Sequence, residues 1–199
     1  METQEILLEK LSLVEGKKLL ENEITAIKEK IGLLKKSVIF FVGHNLNVVG
    51  VDSEFKIDCY YDLDFVGQLV GYSQYTYLKG TFPKTFEENF LRDFVLSGAE
   101  FKERFETNQT AFLVKVLEYF SFEQKNELLS FLLGLVISGN IGKIRKVLKN
   151  YENIYLVGDL ALCGAYKEII QKQFDINTVM VSGYSGHVFD KGADIINPY

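Results

Sequence analysis

A chain of 199 residues with 22 Lys and Arg against 27 Asp and Glu carries a net charge of −5, and 47% of it is hydrophobic. That balance excludes wholesale disorder, allows one or two packed domains, and argues against binding to a nucleic-acid backbone. Two prolines and no tryptophan exclude a long proline-rich linker and leave the core to 16 phenylalanines and 11 tyrosines.

Residues 1 to 36 are dense in Glu, Lys and Leu. Ile6, Leu7, Leu11, Val14, Leu20, Ile24, Ile27 and Ile31 recur at spacings near three and four, the stripe of an amphipathic helix. Ser12-Leu13-Val14-Glu15 has the form of a capping box, which predicts two helices here rather than one. The opening "METQEILLEK" has no basic stretch ahead of an apolar one, so no secretory signal is expected.

From Ser37 to about residue 66 the runs "SVIFFVG", "LNVVGVD" and "FKIDCYYDL" are β-branched or aromatic, broken by Gly, Asn and Asp. They predict an antiparallel meander. Its first turn, Gly43-His44-Asn45, is either a phosphate-facing loop or the plain tip of a hairpin. Asp52, Asp58, Asp62 and Asp64 gather around the meander; a divalent-cation site is one reading, and turn and strand-end acids are the simpler one.

From Gly67 to Asn150 helical spacing returns, with pieces expected at about 67–79, 84–96, 98–106, 110–120 and 123–149 and Pro83 in the first turn of one. Phe86, Phe90, Phe94, Phe101 and Phe105 repeat at helical spacing and read as core. The apolar run from Phe131 to Ile137 is far shorter than the about 20 residues of a membrane span, so no membrane partner is expected. The basic tract "GKIRKVLKN", Gly142 to Asn150, reads as a helix end whose cations complement the dipole, not as a nucleic-acid site.

The tail is regular: "NIYLVGD" is a strand, "LALCGAYKEIIQKQF" a helix, "INTVMVSGYSG" a second strand with a glycine turn, and "HVFDKGADIINPY" a closing helix. Two strand–Gly–helix units in succession build parallel sheet. Gly158 sits where a strand turns into a helix, and Asp159 can cap the free N–H groups that follow. Such turns hold anions in some proteins and nothing in many others. Gly183-Tyr184-Ser185-Gly186 is a weaker candidate, and neither turn matches a dinucleotide or P-loop pattern. His44 and His187 have no ligand-spaced neighbours, so no metal site is expected, and no GxSxG supports a hydrolase. Cys59 and Cys163 lie far apart and read as reduced thiols of a cytoplasmic protein.

The stretch "QTAFLVKVLEYFSFEQKNELLSFLLGLVISGNIGKIRKVL", with the later "ENIYLVGDLALCGAYKEIIQKQFDINTVMVSGYSGHVFDKGADII", resembles the C-terminal part of the 2-keto-3-deoxygalactonate kinases (2-dehydro-3-deoxygalactonokinases). In that family a "FLSGLLIG" helix precedes a strand that ends in a "G-x-x-L-x-x-x-Y" turn and helix. Phe131 to Ile137, with Gly134, and then Gly158, Leu162 (displaced by one) and Tyr166 fill those places. Upstream, "FFVGHNLNVVGVDSEFKI" takes the position of the family's "PGTHxKW" hairpin, with Gly43 and Asp52 nine residues apart as there. "FVGQL", Phe65 to Leu69, stands for "TGEL", and "METQ" echoes "GEETQ". The likeness covers nearly the whole chain, apart from a helical insertion near residues 10–35.

The resemblance implies an α/β (α+β) fold, the ribonuclease H-like C-terminal lobe of an actin/hexokinase-type kinase. Its mixed sheet would combine the meander with the two strand–Gly–helix units, and the helical segment 1–36 and the lobe 37–199 would pack as one unit. It implies ATP and Mg2+ as cofactors, with Gly158, Asp159, Leu162 and Gly134 on the nucleotide and Gly43, His44 and Asn45 facing phosphates. The family's N-terminal lobe with its "D-x-G-[ST]" phosphate loop has no counterpart here, so a separate N-terminal lobe or a second copy is the implied partner. The family's hairpin Thr, His, Lys and Trp are replaced by His44, Asn45, Asn47 and Val48, the acid of "TGEL" by Gln68, and a later Glu by Asn140. Losing such groups removes several kcal/mol of transition-state stabilisation on the usual scale. Two readings follow: the lobe of a sugar-acid kinase completed by another chain, or a degenerate, non-catalytic module that binds a ligand or a protein; no catalytic residue is assigned.

Overall fold

The computed structural model describes residues 14–31, 35–43, 45–54, 56–78, 90–105 and 107–181. Five strands, β1 (Ser37–Val42), β2 (Leu46–Val51), β3 (Ile57–Leu63), β4 (Asn153–Gly158) and β5 (Asn177–Met180), form one mixed sheet in the order β3-β2-β1-β4-β5. β2 pairs antiparallel with β1 and β3, while β1–β4 and β4–β5 are parallel. The expected meander is therefore present, and β4 attaches to its first strand.

Side chains of β1 alternate between two cores. Val38, Phe40 and Val42 join Leu46, Val48 and Leu63 under the helices α2 (Phe65–Ser73), α3 (Arg92–Arg104), α5 (Lys125–Leu148) and α6 (Leu160–Gln173). Ile39 and Phe41 face the other way, packing with Val49, Val51, Tyr155 and Val157 against Ile24 and Ile27 of α1 (Val14–Ile31). Every residue of β1 is buried, so the strand reads as an unbroken apolar run. The amphipathic stripe of α1 is what closes the second face. Gly16 lies inside this helix; the Ser12 capping box falls outside the described residues.

α5 is the axle of the larger core. It opens with a capping box between Gln124 and Glu127 and is buried continuously from Leu128 to Ser138. Among the described residues it alone is long and apolar enough to cross a membrane by length and composition, but its apolar surface is enclosed by protein. Its last turn carries the basic Arg145 and Lys146, as expected of a helix end, and Arg145 also pairs with Glu103 at 2.7 Å.

One expectation fails at a glycine. Separate helices at 84–96 and 98–106 are not what forms: α3 runs unbroken from Arg92 to Arg104 with Gly98 buried in its middle. A β-carbon on Gly98 would collide with the carbonyl of Phe131, and one on Gly134 with the carbonyl of Val95. These glycines bring the backbones of α3 and α5 together, so neither ends a helix. The described part of the phenylalanine stripe packs against the core: Phe90, Phe94 and Phe101 are partly buried on it, and Phe101 meets Phe105 in a tilted pair at 4.6 Å and Phe131 edge-on at 5.5 Å. The fourth helix, α4 (Thr107–Ser121), lies between α3 and α5 in sequence. Phe86, Pro83, the Gly183–Gly186 turn and the closing helix lie outside the described residues.

Candidate functional site at the carboxyl edge of the sheet

Leu63, Leu46, Val42 and Gly158 form one row across the sheet, and on it β3, β1 and β4 all reach their carboxyl ends. β1 runs on into the hairpin, whose Gly43 N–H donates to the Asn45 carbonyl at 3.2 Å. Gly43 is half-buried and Asn45 exposed, while His44 lies outside the described residues. β3 runs into α2, where Asp64 Oδ1 accepts from the Gly67 N–H at 2.8 Å. β4 runs into α6, where Asp159 Oδ1 accepts from the Leu162 N–H at 2.9 Å. Two helix N-termini, each capped by an aspartate, thus stand at one edge.

Gly158 has φ +126°, and a β-carbon there would strike the carbonyl of Val42. The Asp159 N–H donates to that same carbonyl at 3.0 Å. Glycine is required here by the seam between β1 and β4, a reason the sequence alone does not reveal. Two other residues assigned to the nucleotide do not reach the edge. Leu162 is only 1% exposed and belongs to the main core, and Gly134 is buried against α3. The apolar side chain that does stand at the start of α6 is Leu160, 58% exposed, which the motif comparison passes over because its position there is variable.

A groove of about 220 Å³ runs along the first turns of α6 and the start of α3. Phe90, Val95, Ala161, Gly164 and Ala165 line it together with the ion pair of Arg92 and Glu168. A second groove of about 320 Å³ between α3, α5 and α6 is crossed by the pairs Glu100–Lys172 and Glu103–Arg145.

The positions where family acids are replaced prove to be neighbours. Gln68 Nε2 donates to the Asp64 carbonyl and, at 2.8 Å, to Asn140 Oδ1. Asn140 is fully buried, as is Tyr166, whose ring packs on Phe40 at 6.0 Å and Phe65 at 6.2 Å. Among the described residues neither Asn140 Nδ2 nor the Tyr166 hydroxyl has a hydrogen-bond partner. Burial pushes the Tyr166 hydroxyl well above the usual phenol range, a shift the nearby Asn140 amide only tempers. A third replacement, Asn47, is buried and accepts from the Tyr60 hydroxyl.

The opposite, amino edge holds another polar cluster. The Tyr151 hydroxyl donates to Asp58 Oδ1 and lies 3.2 Å from Cys59 Sγ, leaving the thiol as the donor in that contact. Lys36 Nζ pairs with Asp58 Oδ2 at 3.2 Å and lies 5.0 Å from the Tyr151 ring centroid. Gly50 makes room, because any β-carbon there would collide with Tyr151, Asp58 and Cys59. Asp52 has a local duty, its Oδ1 accepting from the Glu54 and Lys56 N–H groups at 2.8 and 2.9 Å. Among the described residues no three His, Cys, Asp or Glu side chains gather as a metal cluster, so the four aspartates do not converge.

No protein-family model matches the chain, and no curated protein sequence does. Among solved structures it is similar to a "putative 2-dehydro-3-deoxygalactonokinase" from Sinorhizobium meliloti, with a TM-score of 0.61 and 14% identity over 90% of this chain and 60% of that one. The chain therefore spans about three-fifths of the length of that protein. At this identity the likeness speaks for the fold alone, and the fold is a mixed α/β one compatible with a kinase-like lobe.

Proposed function

We propose that the chain is the nucleotide-binding C-terminal lobe of an ATP-dependent sugar-acid kinase of the 2-keto-3-deoxygalactonate kinase type, with phosphoryl transfer requiring a separate N-terminal lobe. The strand order, with β2 alone antiparallel to the rest, supports a ribonuclease H-like lobe. The observation that carries the functional reading is the convergence of the β1 hairpin, the caps Asp64 and Asp159 and the α6 groove on one carboxyl edge. Connections leave β1 and β4 toward opposite sides of the sheet, which is where open α/β sheets take ligands.

The residues fit Mg-ATP in kind. Each capping carboxylate uses Oδ1 for its helix, so the second oxygens of Asp64 and Asp159 can meet a hydrated Mg2+, which takes one or two carboxylates beside phosphate oxygens. Mg2+ would offset phosphate charge, and the groove beside α6 would take the base. The test is a calorimetric titration with Mg-ATP against wild type and Gly164→Leu. A β-carbon at Gly164 meets no atom within 4 Å, so a side chain there has room to leave the helix and extend into the groove that Gly164 lines. Saturable binding lost in Gly164→Leu supports the reading; no binding in the wild type overturns it.

A second reading, a degenerate module that binds without catalysis, draws on the replaced positions. Asn47 is engaged by the Tyr60 hydroxyl and Gln68 by Asn140, so these amides have partners within the protein. Turnover of a 2-keto sugar acid on adding a kinase N-terminal lobe would decide for the first reading. Nucleotide binding without turnover would decide for the second.

A further inference from the structure

The geometry points to Arg92 and Glu168 as the pair that reads the edge of a purine base in the α6 groove. This rests on the nucleotide reading above and assigns the residues that would give that site its base preference. The groove-lining residues Ala161, Gly164, Ala165 and Glu168 lie on one face of α6. They lead from the capped N-terminus to a carboxylate about 10 Å along the axis. Phosphates at the helix start would therefore place a base over the small residues with its edge toward Glu168.

Arg92 Nε and Nη2 donate to the same oxygen, Oε2 of Glu168, at 3.0 and 2.8 Å. That leaves Oε1 of Glu168 to accept and Nη1 of Arg92 to donate, on two residues that line the groove. Adenine and guanine each present an adjacent donor and acceptor on the edge remote from the sugar, which such a pair can match. Phe90 supplies apolar surface for the ring. The simpler role is a surface clasp between α3 and α6, and the experiment must separate the two.

Calorimetry would compare Mg-ATP, Mg-GTP, Mg-CTP and inorganic tripolyphosphate on wild type, Arg92→Ala, Glu168→Gln and the exchanged double variant R92E/E168R. The expected result is purine binding weakened about fivefold to tenfold in all three variants, with tripolyphosphate unchanged. The exchanged variant keeps an ion pair but reverses donor and acceptor, so wild-type purine affinity in it would mark a mere clasp and overturn the inference. Equal affinity of wild type for nucleotides and tripolyphosphate would also overturn it while leaving the phosphate edge standing. Failure of wild type to bind any of the four would bring down both.

Discussion

The two ends of the sheet carry polar clusters of opposite kind. At the amino edge Lys36, Asp58, Cys59 and Tyr151 are joined to one another across β1, β3 and the start of β4, over a glycine that keeps the space clear. At the carboxyl edge Asp64 and Asp159 hold helix N-termini, and an open groove begins one turn away. Beside the helix that Asp64 caps, two buried polar atoms, on Asn140 and Tyr166, have no partner among the described residues. A closed cluster has little left to offer a ligand. A cluster with uncommitted atoms and an adjacent groove does, and that contrast is why only the carboxyl edge is read as functional.

The largest effect expected at either edge is that of Gly158→Ala. It places a side chain at φ +126° and a β-carbon against the Val42 carbonyl, at the seam that joins β1 to β4. A loss of about 3 kcal/mol is expected from combined strain and overpacking. Urea unfolding measures it, and an unchanged midpoint would show that the turn has no need of glycine. Because stability and any ligand contact fall together at Gly158, its variants cannot report on binding by themselves.

Tyr151→Phe tests the amino edge. Removing the hydroxyl strips Asp58 and Cys59 of a shared partner, at an expected cost of about 1–2 kcal/mol, reduced by the partial exposure of Asp58. Burial, first of all, raises both the Tyr151 hydroxyl and the Cys59 thiol above their ordinary values. Groups whose pKa is raised on folding stabilise fully below their unfolded pKa, and that contribution fades as pH climbs through the folded value. Wild type should therefore lose stability above the ordinary thiol and phenol range, and Tyr151→Phe should lose less there. A parallel pH dependence in both proteins would mean the cluster does not couple to folding.

Much of the frame was legible in the sequence. β1 to β4 stand out because β-branched and aromatic runs end at Gly, Asn or Asp, and the cap at Asp159 follows from strand–Gly–Asp–helix order. The misreadings share a cause. Helical spacing suggested a break near residue 97 and matched Gly134 to a nucleotide position, but Gly98 and Gly134 both answer to a neighbouring backbone, which one-dimensional spacing does not display. Leu162 matched a motif position while pointing into the core. The Gln68–Asn140 contact joins residues 72 apart and the Asp58–Tyr151 contact residues 93 apart, with no local pattern to announce either.

Asp159→Ala should cost about 1 kcal/mol, the usual value of an N-cap, and Asp64→Ala should cost about the same. The comparison sharpens on titrating both with Mg-ATP. Where the carboxylates only cap, affinity is unchanged once the protein is folded; where they also meet Mg2+, affinity falls beyond the stability loss.

The smallest effect belongs to Tyr166→Phe, and its sign is the informative part. The ring is fully buried between Phe40 and Phe65 and must stay, but the hydroxyl is buried without a hydrogen-bond partner among the described residues. An unsatisfied buried hydroxyl opposes folding by the water it has lost, so deleting it while keeping the ring should leave stability unchanged or raise it by up to about 1 kcal/mol. A loss of more than about 1 kcal/mol would show that the hydroxyl is bonded in solution, with Asn140 as the nearest candidate. The Asn140→Leu variant distinguishes these cases. With an unbonded hydroxyl its effect adds to that of Tyr166→Phe. With a bonded one the double variant recovers part of the loss, since the two amide-and-hydroxyl partners then leave together.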